Sequence, residues 1–281
     1  MRALLVVHRD RPEALGLANK AIAWLEQSGH RAVLVADDAA ALGIGRLSAA
    51  ASDIAQADVA VSLGGDGTML RTVELVSAHG VPVIGVNVGR LGYLEEVEPA
   101  GLLAALESFA AGGCDIDERM MLSGTLTKAD GVSRFRALNE TVIEKVESGH
   151  TVLLGVTIDG TAFTSYAADG LIVATPTGST AYSLSARGPI VSPRCEALLL
   201  TPVSPHMLFD RSMILAPDEE IAIEVLGHRP ASVTVDGRPL GVLQPGDRVA
   251  CRRATPPARF VRFAPRSFHQ VLKAKFGLND R

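Results

Sequence analysis

Val59-Ala60-Val61-Ser62-Leu63-Gly64-Gly65-Asp66-Gly67-Thr68-Met69-Leu70-Arg71 decides how the N-terminal half reads. Residues 59–63 are an apolar run of strand length, and from Thr68 to about Ala78 the apolar positions recur at helical spacing. Between them lie three glycines around one carboxylate. A strand that gives way to a helix through such a turn exposes unpaired amides at the positive end of the helix dipole, where an anion is favoured. Glycines there let a phosphate approach the backbone closely. The turn fits neither G-x-x-x-x-G-K-[ST] nor G-x-G-x-x-G, and its central residue is negative. An aspartate facing phosphate makes sense if a cation bridges the two, or if Asp66 takes the proton of a hydroxyl attacking phosphorus. It also makes sense as a plain helix cap. These five residues alone leave both readings open.

Working outward, residues 3–7 read as a buried strand. Pro12 opens a helix in which Leu15, Ala18, Ile22 and Leu25 share a face until Gly29 stops it. Residues 32–36 read as a second strand, 81–88 as another, 89–93 as a loop and 99–111 as a helix. Strands alternating with helices predict an α/β N-terminal domain with a parallel sheet over residues 1–117. The texture then changes. Strand-like runs at 122–126, 152–158, 171–174, 221–225 and 232–235, with Asp159-Gly160 and Asp236-Gly237 as hairpin dipeptides, predict a β-rich second domain over 118–254. In the segment 255–281, Phe268, Val271, Leu272 and Phe276 predict a helix with an apolar face to bury.

Composition narrows the function. The chain has 281 residues, enough for two domains, and 27 basic against 31 acidic side chains, a net charge of −4. No basic field invites nucleic acid. The first apolar stretch is broken by His8-Arg9-Asp10, too soon for a signal peptide, and no run approaches the ~18 apolar residues of a membrane helix. Cys114, Cys195 and Cys251 are odd in number and far apart, against a disulfide framework or a zinc site. A cytoplasmic protein fits best. The seven histidines form no H-E-x-x-H pair.

Two further clusters carry hydrogen-bonding chemistry. Asp169-Gly170 leads through an apolar run into Thr175-Pro176-Thr177-Gly178-Ser179-Thr180-Ala181-Tyr182, where hydroxyls and free amides suit a nucleotide's sugar, phosphates and base edge, and Tyr182 could cover a flat ring. A ligand-free turn and helix cap would look similar. Asn139-Glu140 precedes a strand-like run; an amide beside a carboxylate could read an adenine edge or a ribose diol, or simply turn the chain.

Taken in order and at these separations, Gly64-Gly65-Asp66-Gly67-Thr68, Asn139-Glu140 and the segment from Asp169 to Tyr182 resemble the NAD kinase family. The likeness extends to Val86-Asn87-Val88-Gly89-Arg90-Leu91-Gly92-Tyr93, Gly188-Pro189-Ile190, Thr201-Pro202 with Pro205-His206, and Asp236-Gly237. The glycine turn alone would also suit diacylglycerol or sphingosine kinases; the threonine-rich loop singles out NAD kinases. The resemblance implies transfer of phosphate from ATP, or from polyphosphate, to the 2′-hydroxyl of the adenosine ribose of NAD, giving NADP. It further implies Mg²⁺, a homodimer or homotetramer, a β-sandwich second domain, and a C-terminal helix packed on the first domain. By the same resemblance Asp66 is the catalytic carboxylate, with Gly64, Gly65, Gly67, Thr68 and Arg71 around the phosphates, the last able to reach a phosphate bidentately. Asn139, Glu140, His150, Asp169, Thr180, Ala181, Tyr182 and Ser185 become dinucleotide contacts. The chain departs from the pattern at Ala167, frequently basic in relatives, at Arg187, where a glycine is common, and at Arg238, where glutamine is common. A lipid kinase and a non-catalytic dinucleotide sensor are the competing functions.

Overall fold

The computed structural model describes residues 1–89, 92–265 and 267–278. Arg90 and Leu91 of the motif quoted above lie outside the described residues. Two compact units divide the chain: Met1–Glu118 together with Pro256–Arg281, and Arg119–Thr255.

In the first unit β1 (Arg2–Val7) leads to α1 (Pro12–Gln27), β2 (Arg31–Leu34), the short α2 (Ala36–Ala41) and α3 (Ala51–Ala55), then β3 (Val59–Gly64), α4 (Asp66–Val76), β4 (Val83–Asn87) and α5 (Leu102–Ala110). The strands lie parallel in the order β2-β1-β3-β4. Their period of two sends Leu5, Val7, Val61 and Leu63 into one core with Leu17, Ala21 and Leu25 of α1 and Leu102 and Leu106 of α5. The other face is left to α4, whose Met69, Val73 and Val76 are buried. Proline at the first turn starts α1, and Gly29, at φ +71°, ends it.

The strand expected over 32–36 stops at Leu34, and Ala36 begins α2 instead. Asp37 and Asp38 in the first turn suit the positive end of a helix better than a strand, and Asp38 turns inward to take the Val7 amide at 2.8 Å.

The second unit contains most of β5 (Asp115–Lys128), then β6 (Gly131–Ala137), β7 (Glu140–Lys145), β8 (Val152–Ile158), β9 (Thr161–Ala168), β10 (Gly170–Ala174), α6 (Tyr182–Ser185), β11 (Leu198–Val203), β12 (Met213–Leu215), β13 (Ile221–Leu226), β14 (Ala231–Val235), β15 (Arg238–Leu243) and the first part of β16 (Arg248–Arg262). One antiparallel sheet runs β12-β11-β10-β7-β14-β15. In the other, β8 pairs β9 and β13, and β13 pairs β16. Ile143, Val173, Leu200 and Val233 of the first sheet share one core with Leu154, Val156, Ile223 and Val249 of the second, which is a β-sandwich. Both Asp-Gly pairs make hairpins with two positive φ angles, +49° and +76° at Asp159-Gly160 and +47° and +77° at Asp236-Gly237.

The second part of β16 belongs to the first unit, where Phe260 pairs in parallel with Val83 of β4. Its last helix, α7 (Phe268–Phe276), forms as its spacing predicts, but no side chain on it is fully buried, and Phe276 is 47% exposed. The apolar face expected to be covered is thus only partly so, with Lys275 set over the Tyr93 ring at 4.8 Å. No described helix is long and apolar enough to cross a membrane.

Candidate functional site

The first cluster forms where β3 ends. Gly65 is extended (φ −113°, ψ −168°) and places Asp66 in the first turn of α4 without any side-chain cap. The three glycines do two different things. A Cβ at Gly64 would run into the Thr68 side chain, so this glycine lets helix pack on strand; around Gly65 and Gly67 there is open space. That space is a cavity of about 410 Å³, walled by Gly65, Asp66, Gly67, Thr68 and Arg71 on one side and by residues 7–11 on the other.

Asp66 does not cap its helix. Its Oδ1 accepts the amides of Tyr93 at 3.1 Å and Leu94 at 3.4 Å, so the loop after β4 holds the carboxylate from behind while it still lines the cavity. Burial, then the charge of Asp66, pushes the Tyr93 phenol above its ordinary pKa.

Arg71 reaches the same cavity one and a half turns along α4, but the end of its guanidinium is already engaged. Nη1 and Nη2 donate to the two oxygens of Asp38 at 3.1 and 2.7 Å, and Nη2 also to the Val7 carbonyl at 2.7 Å. The two-pronged phosphate contact expected of it meets an occupied fork. Sequence reading also missed the basic side of the cavity. His8, Arg9 and Arg11 line it, and Arg11 donates to the Val88 carbonyl. The interrupting His8-Arg9-Asp10 run was the available signal.

The second cluster lies within the second unit. Asn139 and Glu140 enter β7, and Asp236, at the hairpin turn between β14 and β15, accepts the amides of Leu138 (2.7 Å), Asn139 (2.8 Å) and Glu140 (3.1 Å). Asp236 is therefore more than the hairpin residue its sequence suggested. Thr175 returns to the same place, its hydroxyl donating to the Leu138 carbonyl at 2.6 Å and its amide to that of Asn139 at 2.8 Å. Gly178 passes so close that a Cβ would collide with the Asn139 carbonyl.

Glu140 is 7% exposed, and one carboxyl oxygen, Oε2, has no hydrogen-bond partner among the described residues. Burial, and secondarily the charge of Asp236, pushes its pKa up to about 8, against a hydrogen bond from the Tyr182 amide that lowers it. Near neutral pH this side chain is largely a neutral acid. Tyr182 itself is 37% exposed, its hydroxyl donates to Glu144, and burial together with that bond pushes its pKa up to about 12.

Asp169 pairs with Lys145 at 2.6 Å. Thr180 closes a turn on the Thr177 carbonyl, and Ala181 leads into α6, which ends at the exposed Ser185. His150 sits exposed in the connection from β7 to β8. Ala167 is half-buried on β9, Arg238 opens β15, and Arg187 takes φ +67°, the left-handed conformation that explains a glycine preference there.

Comparison with known proteins identifies the family. Residues 3–114 match the family model for the ATP-NAD kinase N-terminal domain, and residues 138–263 the model for the C-terminal domain. The NAD kinase of Heliobacterium modesticaldum is 42% identical over 274 residues, covering 96% of each chain. That of Moorella thermoacetica is 39% identical over 274 residues, covering 96% of this chain and 88% of the other. The crystal structure of yeast NADH kinase complexed with NADH superposes with a TM-score of 0.92 at 26% identity, covering all of this chain and 89% of the yeast one. An acid held at the wall of an open cavity, a hydroxyl-rich loop folded onto a buried carboxyl, and family models and relatives that match most of the chain lead to one conclusion: the chain belongs to the NAD kinase family.

Proposed function

We propose that this chain transfers the γ-phosphate of ATP, or the terminal phosphate of polyphosphate, to the 2′-hydroxyl of the adenosine ribose of NAD. One observation carries the reading: Asp66 leaves its helix uncapped and is held by two backbone amides at the wall of the cavity. A mere cap would have bonded the amides of its own first turn.

In this reading Asp66 takes the proton of the attacking hydroxyl. The open backbone at Gly65 and Gly67, with Thr68 and Arg71, receives the donor's phosphates. Asn139, Glu140, Asp169 and the stretch Thr180, Ala181, Tyr182, Ser185 hold the dinucleotide, with His150 at its margin. The described residues contain no group of three ligating side chains. Mg²⁺ ordinarily binds through one or two carboxylates plus substrate phosphates, and Asp66 and Asp10 on the cavity wall fit that pattern. When bound, the ion would neutralise phosphate charge.

We place the protein in the cytoplasm, on the composition and the three free cysteines. Self-association as a homodimer or homotetramer is what membership of the family implies for this chain. General-base help is worth roughly 10²- to 10⁴-fold in rate. Asp66→Asn is therefore expected to lose turnover by that factor in a coupled assay for NADP while keeping its melting temperature and NAD affinity. Near-normal turnover would refute the assignment.

A further inference from the structure

Asp38 is an acid that neither the glycine turn nor the dinucleotide loop accounts for. It sits on α2 and is completely buried. Its Oδ2 accepts the Val7 amide at 2.8 Å and Arg71 Nη2 at 2.7 Å, and its Oδ1 accepts Arg71 Nη1 at 3.1 Å. Arg9 adds a longer ion pair, Nε to Oδ1 at 3.8 Å, while its Nη1 reaches Asp37 at 3.0 Å.

A buried carboxylate is costly unless it is paired, and a small apolar residue could fill the same space without that cost. What the carboxylate adds is direction. A guanidinium has five N–H donors. Asp38 and the Val7 carbonyl take three of them and clamp the plane of the group. Nε–H and the second N–H of Nη1 are left, on a side chain that lines the cavity beside Gly65, Asp66 and Gly67. A free arginine would have to lose its rotamer freedom when an anion arrived; this one has already lost it on folding.

We propose that Asp38 is a positioning residue for the phosphoryl donor. It orders Arg71 against the backbone of β1 so that its remaining Nε–H and its positive charge are presented to the phosphate chain. Donor recognition depends on Asp38, and dinucleotide recognition does not. The inference rests on the kinase reading above.

The test uses the full chain, with ATP and Mg²⁺ as donor and NAD as acceptor. Asp38→Asn keeps an acceptor for the Val7 amide and removes the charge. Losing a charge-assisted bond of this kind corresponds to roughly tenfold or more in affinity. The KM for ATP should rise about tenfold in Asp38→Asn and at least as much in Arg71→Met, with the KM for NAD within about twofold of the parent. In the Arg71→Met background, Asp38→Asn should add almost nothing to the ATP KM. An Asp38→Asn variant that only melts earlier, that raises both KM values alike, or that keeps its full effect without Arg71 would overturn the proposal. If Asp38→Asn does not fold, Arg71→Lys carries the test. Lysine keeps the charge and the partner but lacks the Nε–H arm, so the ATP KM should rise with NAD KM and melting temperature unchanged; an unchanged ATP KM overturns the idea. Failure of the parent protein to form NADP would instead sink the kinase reading. Insensitivity of an active enzyme to Arg71→Met would overturn the positioning role alone.

Discussion

The turn at 64–68 and the loop at 175–182 both lead from a strand into a helix through glycine and hydroxyl residues, yet they handle acids in opposite ways. At the first, Asp66 stays at the wall of an open cavity, with amides behind it and arginines around it. Such an acid stands where a bound substrate can reach it. At the second, Glu140 is enclosed, shares its neighbourhood with Asp236, and holds its proton up to about pH 8. Such an acid can offer a proton to a ligand's acceptor atom rather than take one. The same residue chemistry thus lines an open cavity in one unit and is enclosed with its proton in the other, and burial sets the difference.

That contrast can be broken most severely at Glu140. The folded pKa is raised above the unfolded one, so the native state binds the extra proton. Its contribution to stability is full below the unfolded value near 4.5 and is lost as pH rises through about 8. One such proton gives at most about 1.4 kcal/mol of lost stability per pH unit in that window. Urea melts between pH 5 and 9 should show this slope in the parent protein and a flatter profile in Glu140→Gln. Identical slopes would mean that Glu140 is ionised throughout.

Next in size is Gly178→Ala. A methyl group there must push the Asn139 backbone away, and overpacking of this kind costs about 1–3 kcal/mol. The melting temperature should fall and NAD affinity, followed by calorimetry, should weaken with it; an unaltered melting temperature would show that the loop is slack. Arg187→Gly is the smallest and has the opposite sign. Relief of a left-handed arginine is worth about 1 kcal/mol, so this variant should melt slightly higher, and a lower melting point would show that the Arg187 side chain makes up for its backbone.

Much of the fold was legible locally. The strand-turn-helix at 59–76 appears where its periodicity put it, as do α1, the two Asp-Gly hairpins and the C-terminal helix. β16 was harder to see, because Pro256 and Pro257 interrupt a run that still forms strand. Short α2 and α3 lie in an alanine-rich stretch whose pattern suits helix or loop equally. Among site residues, Asp66 and Glu140 announce themselves by type and spacing, whereas Asp38 and Asp236 look like ordinary helix-start and hairpin aspartates.

The linear order of residues determined which segments are strands and helices, which turns need glycine, and which acids stand beside backbone amides, because those follow from periodicity and local sterics. Only the tertiary structure decided that Asp38 claims Arg71 across 33 positions, that Asp236 collects three amides nearly 100 positions away, and that Glu140 is shut from water. Charge state and partner choice depend on burial and on what lies within a few ångströms, and those are properties of the folded chain.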